Sequence, residues 1–157
     1  MGDSPPLTLT IPSNLRLMPL VHVYLEAVCE VGELDPDATH AVVLATGEAV
    51  QNIIRHAHRH CPQASLQIQC SFREDGVEIV LSDEGEPFDV SSVPHLDPAE
   101  LRIGGRGVFL MRSLMDELHC LPRCDKGNHL RMFKRCRCRF TVTEITDGHD
   151  SGDADGI

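Results

Sequence analysis

Apolar and polar residues alternate along the first segment of the chain, which predicts a β-strand. Residues 7–11 read Leu-Thr-Leu-Thr-Ile, so alternate side chains share one face, and Pro12 ends the pattern. Ser13 then suits the N-cap of a helix, because apolar residues recur every three or four positions as far as Gly32. Pro19 fits the first turns of this helix or marks a restart.

The next segments predict a second helix and a β-hairpin. Residues 35–59 begin with Asp-Pro, the signature of an N-cap followed by proline, and carry apolar residues at helical spacing. Residues 66–72 and 77–81 read as two strands on either side of Glu-Asp-Gly at 74–76, which is typical of a hairpin turn.

The second half of the chain predicts a long loop, a third helix and two further strands. Residues 82–105 are rich in Gly, Pro, Ser and Asp, and a loop of that length inside a small domain is usually functional. Residues 108–118 have helical periodicity, whereas 121–124 and 130–142 are predicted strands separated by a turn. The order of these elements predicts an α/β sandwich with helices on one face of an antiparallel sheet.

Length and charge favour a single domain followed by a short tail. The chain has 157 residues and a formal net charge of -10, which argues against non-specific binding of nucleic acid. Residues 144–157 hold five acids and no Lys or Arg, so we expect a domain over 1–143 and a disordered acidic tail over 144–157. Residues 123–139 hold seven cations, and we hypothesise that they form a docking surface that the tail screens.

The termini and cysteines favour a cytoplasmic protein. No stretch combines a cationic start with a long apolar run, and none approaches the roughly 18–20 apolar residues of a membrane span. Seven cysteines without a signal peptide fit reduced thiols better than a disulfide framework. Cys136 and Cys138 share a face of a predicted strand, where plain packing is favoured over metal or redox chemistry. His56 and His60 share a helix face, which suits a metal site or, as the favoured alternative, a solvated helix end.

Three short motifs carry the candidate chemistry. Glu48 and Asn52 lie four residues apart, so both side chains leave one face of the second helix, although such pairs are common on solvated faces. Asp83 and Gly85 follow a strand directly, where the carboxylate can accept a hydrogen bond from a ligand amine, or form an ordinary acidic turn. Residues 104–108 read Gly-Gly-Arg-Gly-Val and open a helix, which suits either a phosphate cradle or a glycine hinge.

Taken together, these motifs resemble a known family. The chain has no P-loop and lacks the catalytic loop of eukaryotic-type protein kinases. In this order and spacing the motifs resemble the N, G1 and G2 boxes of the GHKL ATPases, and more closely the anti-sigma factor serine/threonine kinases. The matching stretches are Glu48-x-x-x-Asn52-x-x-x-His56-Ala57, Asp83-x-Gly85-x-Pro87-Phe88-Asp89, Gly104-Gly105-x-Gly107-Val108-Phe109-Leu110, and Gly127-x-x-Leu130-Arg131-Met132.

The resemblance implies a GHKL-type two-layer sandwich, a mostly antiparallel sheet with three helices on one face, that binds ATP and Mg²⁺. Asp83 would bind the adenine amino group and Gly85 would shape that pocket. Many relatives carry Gly-Thr before the last strand, with the Thr contacting the adenine pocket. Here Asn128 stands in that place, so the polar contact is either supplied by Asn128 or lost.

The resemblance also implies how phosphates and the reaction are handled. Asn52 would hold Mg²⁺, and Glu48 would be the base that takes the proton from a serine or threonine hydroxyl. For Arg106, a γ-phosphate ligand and a solvated loop cation are equally good interpretations. The residues implied at the phosphates are Gly105, Arg106, Gly107 and Val108.

The function implied is an ATP-dependent serine/threonine protein kinase that acts as an anti-sigma regulatory factor. Such a kinase phosphorylates an anti-anti-sigma partner and binds a sigma factor, and relatives often form homodimers. The alternative is a catalytically weak ATP-binding module that regulates by sequestering a partner protein. Neither interpretation involves a membrane or direct contact with nucleic acid.

Overall fold

The computed structural model describes residues 5–59, 61, 63–85, 106–122 and 127–139. These residues include three α-helices, and a 3₁₀ turn precedes the first of them while a π-helical turn continues the second. The helices are α1 (Met18–Val31), α2 (Pro36–Asn52) and α3 (Arg106–Leu114), and the two turns span Leu15–Leu17 and Ile53–Ala57. The strands are β1 (Leu7–Pro12), β2 (Ser65–Arg73), β3 (Gly76–Asp83), β4 (Glu117–Pro122) and β5 (Asn128–Arg135).

The five strands form one antiparallel sheet in the order β1-β2-β3-β5-β4. Alternate residues of β2, β3 and β5 are buried, and they form a single core with the inward faces of α1 and α2. Residues on the other face of these strands, such as Gln67, Val80 and Arg131, are half-exposed. The predicted two-layer sandwich with helices on one face is therefore confirmed.

α1 begins later than the sequence predicted, because residues 13–17 serve other purposes. Asn14 caps the 3₁₀ turn by accepting a hydrogen bond from the Arg16 backbone amide at 2.9 Å. Pro19 lies in the first turn of α1, where its missing N–H costs no helical hydrogen bond. Ser13 does not cap a helix, and its hydroxyl instead contacts His58.

The boundary between α3 and β4 is the largest error of the sequence prediction. The predicted helix over 108–118 ends at Leu114, and Glu117 already pairs with Phe133 as the first residue of β4. The Asp116 backbone amide donates to the Phe133 carbonyl at 2.9 Å, so this segment pairs with β5 instead of continuing the helix. An apolar run this short satisfies helical and strand periods alike, and only its pairing with β5 decides between them.

β5 also ends earlier than the predicted 130–142. Its partner β3 begins at Gly76, which pairs with Arg135, so the ladder stops there and Cys136 makes one further bond to the Asp75 carbonyl. Cys136 and Cys138 lie beyond the strand, yet their Sγ atoms are 3.4 Å apart and both pack against the core. Burial raises the pKa of the Cys138 thiol to about 12, which favours the protonated form.

Part of the charge in the basic segment is neutralised by ion pairs within the chain. Arg131 reaches Glu78 Oε2 at 2.5 Å and Glu117 Oε2 at 2.9 Å on the outer face of the sheet. Lys134 lies 3.6 Å from an Asp116 carboxylate oxygen. These pairs leave fewer free cations than the composition of 123–139 suggests. None of the helices in the described ranges is long and apolar enough to cross a membrane.

Candidate active site

Glu48 and Asn52 lie on the last turns of α2, on the side against which α3 packs. Both are half-buried, and the N-terminal turn of α3 approaches them closely at Gly107. A Cβ atom at Gly107 would lie 2.9 Å from Asn52 Nδ2 and 3.1 Å from Glu48 Oε2. The structure therefore brings the first and third motifs together, and the glycine allows this close contact, because a larger residue would have to push the Asn52 side chain aside.

The π-helical turn Ile53–Ala57 follows Asn52 directly. Its widened hydrogen bonding is seen in the bond of 3.0 Å from the His58 amide to the Ile53 carbonyl, five residues earlier. π-helical turns are rare and occur frequently at functional sites. The end of this turn meets the second motif, because a Cβ at Gly85 would lie 2.5 Å from the Ala57 carbonyl oxygen. The backbone at Gly85 can approach α2 only because it carries no side chain.

Asp83 ends β3 and is the most deeply buried acid of the site, with 1 % of its surface exposed. Its Oδ1 atom accepts hydrogen bonds from the Gly85 amide at 2.7 Å and from Asn128 Nδ2 at 3.2 Å. Its Oδ2 atom is buried and has no hydrogen-bond partner among the described residues. An unpaired buried carboxylate oxygen is costly, so this atom is an available acceptor for a ligand that donates a hydrogen bond.

The departure from the family at residue 128 leaves a polar contact in place. Asn128 is buried, and its amide donates to Asp83 Oδ1 as given above. The preceding Gly127 has a φ of +93°, and a Cβ there would overlap the Asp83 carbonyl oxygen. Glycine is required at this turn on both counts, since a side chain would be strained and would collide with β3.

His58 is the residue of this site that sequence reasoning missed. Its side chain is fully buried, with Nε2 3.4 Å from Asp83 Oδ1 and Nδ1 2.8 Å from Ser13 Oγ. The sequence drew attention to His56 and His60 because they are four residues apart. In the structure His56 is exposed, as predicted for a solvated helix end, and His60 lies outside the described residues. No spacing rule pointed to His58, because the π-helical turn changes which residues face the core.

The remaining predicted residues belong to the glycine loop and the start of α3. Gly105 lies outside the described residues. Arg106 is exposed and is the first residue of α3, whereas the Val108 side chain is buried in the core, so only its backbone amide is available to a ligand. The first backbone amides of a helix lack helical partners and favour anions, which suits a phosphate.

The chemistry of the donor set also fits a magnesium ion. The Asn52 side chain provides an amide oxygen beside Glu48, and Mg²⁺ prefers oxygen ligands and usually takes few of them from protein while phosphates supply others. Within the described ranges, no three His, Cys, Asp or Glu side chains are grouped so that they could hold a metal ion by themselves. A cation at Asn52 would therefore depend on a bound nucleotide.

The sequence places this fold in the histidine kinase-like ATPase class. Residues 11–134 match the model of the histidine kinase-like ATPase domain family. The serine-protein kinase RsbW of Staphylococcus epidermidis is 32% identical over 117 residues, covering 69% of this chain and 74% of that protein. The RsbW of Staphylococcus aureus gives the same identity and coverage, 32% over 117 residues, 69% of this chain and 74% of that protein.

The fold is also found in a crystal structure of the RsbU and RsbW domains of a Mycobacterium tuberculosis protein. That chain superposes with a TM-score of 0.61 at 16% identity, over 88% of this chain and 34% of the longer one. The protein belongs to the histidine kinase-like ATPase family, in the group of RsbW-type serine-protein kinases. The resemblance to anti-sigma factor kinases of the GHKL superfamily is thereby confirmed.

Proposed function

We propose that this protein is an ATP-dependent serine/threonine protein kinase that acts as an anti-sigma factor and phosphorylates an anti-anti-sigma partner. The observation that carries the proposal is the buried, unpaired Asp83 Oδ2, which lies on the strand beside the helix that presents Glu48 and Asn52. The similarity to RsbW serine-protein kinases supports kinase activity and ATP as the phosphoryl donor.

Asp83 selects the nucleobase in this proposal. Its free Oδ2 accepts a hydrogen bond from the exocyclic amine of adenine, whereas guanine presents a carbonyl oxygen at the same position and meets repulsion. Gly85 shapes the pocket by letting the backbone lie against the end of α2. The Asn128 contact to Asp83 supports the interpretation in which Asn128 supplies the polar contact that Thr makes in many relatives.

The phosphates lie at the start of α3 in this proposal. Backbone amides of Gly105, Gly107 and Val108 donate to phosphate oxygens, and Arg106 adds a positive charge from an exposed position. The Asn52 side-chain oxygen would hold Mg²⁺, which would supply positive charge to offset the negative charge of the phosphates.

Glu48 is the general base. Its Oε2 atom points towards Gly107, the place where α3 would present the phosphates, so a hydroxyl brought there by a protein substrate can give up its proton to this atom. Glu48 is half-buried, so part of its side chain remains exposed. A positioned base contributes about 10²- to 10⁴-fold to rate, which sets the expected loss when it is removed.

The organisation and surroundings of the protein are part of the same proposal. A catalytic domain over 1–143 precedes an acidic tail over 144–157, and the protein works in the cytoplasm as a regulator of transcription. It binds a sigma factor through protein contacts. The family resemblance also implies that it can form a homodimer. It makes no direct contact with nucleic acid.

The experiment that tests this function is capture of partners from native extract followed by phosphosite mapping. The purified protein is immobilised, the extract is passed over it, and the eluted complexes are incubated with Mg-ATP. We expect a bound partner to gain phosphate on Ser or Thr. A captured partner that gains none, in a sample whose protein binds ATP, would contradict the kinase proposal and favour sequestration.

A further inference from the structure

A chain of buried polar contacts connects three separate segments behind the proposed adenine pocket. Ser13, just after β1, contacts His58 Nδ1 at 2.8 Å, and His58 Nε2 faces Asp83 Oδ1 at 3.4 Å. The His58 and Asp83 side chains are both fully buried. Buried polar side chains are costly to retain, so a chain of three in the core calls for a physical reason.

We propose that His58 is a positioning residue, which holds Asp83 with Oδ1 turned to the protein and Oδ2 presented to the nucleotide. This inference rests on the proposed role of Asp83 in nucleotide binding. Two groups donate hydrogen bonds to one oxygen, the Gly85 amide and the Asn128 amide, and His58 Nε2 lies 3.4 Å from the same oxygen as a charge contact rather than a hydrogen bond. No hydrogen-bond partner for the other oxygen is found in the described part of the chain. This asymmetry sets the rotation of the carboxylate, and in our proposal the His58 contact adds to the two hydrogen bonds that keep Oδ1 turned to the protein.

The position of the proton on His58 follows from its two neighbours. An unprotonated Nε2 would face the Asp83 carboxylate with a lone pair, which is repulsive, whereas an Nε2–H is attracted to it. Placing the proton on Nε2 leaves Nδ1 as an acceptor, and the Ser13 hydroxyl at 2.8 Å donates to it. Ser13 therefore holds His58 in the tautomer that turns Asp83.

This positioning gives His58 a role in the selection of the nucleobase. A carboxylate free to rotate can satisfy Oδ2 with a protein donor or a water molecule, and it then gains less from an exocyclic amine. A carboxylate held by His58 gains the full hydrogen bond only when the base carries an amine at that position. His58 should thus affect the discrimination between bases more than the general affinity for triphosphates.

The test compares ATP with purine riboside triphosphate, which lacks only the 6-amino group. Dissociation constants for both are measured by calorimetry with full-length wild type, His58→Phe, His58→Gln and Ser13→Ala. His58→Gln is the conservative variant, because the Gln amide nitrogen is as many bonds from Cβ as His Nε2 and can donate to Asp83. His40→Phe, at an exposed position early in α2, serves as the matched control.

We expect wild type and His40→Phe to bind ATP about 10- to 100-fold more tightly than the analogue. This ratio corresponds to the free energy of one hydrogen bond to a charged group. In His58→Phe this ratio should fall to about 3-fold or less, with His58→Gln close to wild type and Ser13→Ala in between. Equal weakening of both ligands, or an unchanged ratio, in His58→Phe would overturn the proposal.

Two further outcomes distinguish a failure of the His58 proposal from a failure of the proposed role of Asp83. If His58→Phe does not fold, as judged by its circular dichroism, the Ser13→Ala ratio decides, and a wild-type ratio there overturns the positioning role. If wild type binds both nucleotides equally, or neither, the role of Asp83 in nucleotide binding fails, and the positioning role of His58 falls with it.

Discussion

Replacing Gly107 with Ala should lower the rate of phosphoryl transfer without lowering the stability of the fold. Gly107 is in the first turn of α3, and the added Cβ would lie 2.9 Å from Asn52 Nδ2, closer than Cβ atoms normally approach. The atom that must yield is the end of a side chain rather than backbone, so Asn52 can move aside without disturbing the fold. The change therefore acts on the proposed magnesium ligand.

The two consequences have opposite signs. In a helix Ala is favoured over Gly by about 0.5–1 kcal/mol, so the free energy of unfolding should stay within about 1 kcal/mol of wild type or rise. Relieving the contact moves the Asn52 amide by roughly half an ångström, and displacements approaching 1 Å at a reacting centre cost up to about 10²-fold in rate. We expect phosphoryl transfer to fall by about one to two orders of magnitude.

Denaturant unfolding and a phosphoryl-transfer assay measured on the same samples test this reasoning. Gly47→Ala is the matched control, because that Cβ would meet only the ring of the exposed His22, at 3.1 Å from Nε2. It should gain similar stability and keep its activity. The reasoning is refuted if Gly107→Ala retains wild-type transfer, or if the control loses as much.

Three further results are expected. Gly85→Ala places a Cβ 2.5 Å from the Ala57 carbonyl, which is backbone and cannot yield, so the free energy of unfolding should drop by about 1–3 kcal/mol in denaturant titrations and ATP affinity should fall in calorimetry. Burial raises the pKa of the Cys70 thiol to about 12, so at pH 8 iodoacetamide should modify the exposed Cys61 well before Cys70 in peptide mapping, and equal rates would contradict this. Burial alone would raise the pKa of Glu78, but hydrogen bonds and charges from two arginines outweigh it and lower that pKa. Glu78 therefore stabilises the fold above its ordinary pKa, and this contribution is lost as the pH falls through the lowered value. Glu78→Gln should show a smaller acid-induced drop in the free energy of unfolding than wild type.

The sequence predicted those parts of the fold whose signals are local. The β2–β3 hairpin follows from alternation around a Glu-Asp-Gly turn, and α2 follows from Asp35-Pro36 and its apolar spacing. The Glu48–Asn52 pair was predictable for the same reason, since four residues make about one turn of an α-helix. The Asp83 motif required only that β3 end where its glycine turn begins.

The features that were missed depend on contacts between distant segments. The start of β4 at Glu117 is decided by pairing with β5, which no local period reveals. The burial of His58 depends on a π-helical turn and on Ser13, 45 residues away in the chain. Asp83 accepts hydrogen bonds from Gly85 and Asn128 and lies beside the His58 ring, so its free oxygen can be seen only in the folded structure.

The central claim is that Glu48 removes the proton from a Ser or Thr hydroxyl at a site that binds ATP independently of this residue. The most direct measurement is a single-turnover phosphoryl transfer from Mg-ATP to a captured partner, by wild type and by the isosteric Glu48→Gln, with the ATP dissociation constant determined for each. We expect transfer to fall by about 10²- to 10⁴-fold in the variant while its ATP affinity stays within about 3-fold of wild type. Equal transfer rates for the two proteins, at equal ATP affinity, would contradict the assignment of Glu48 as the base.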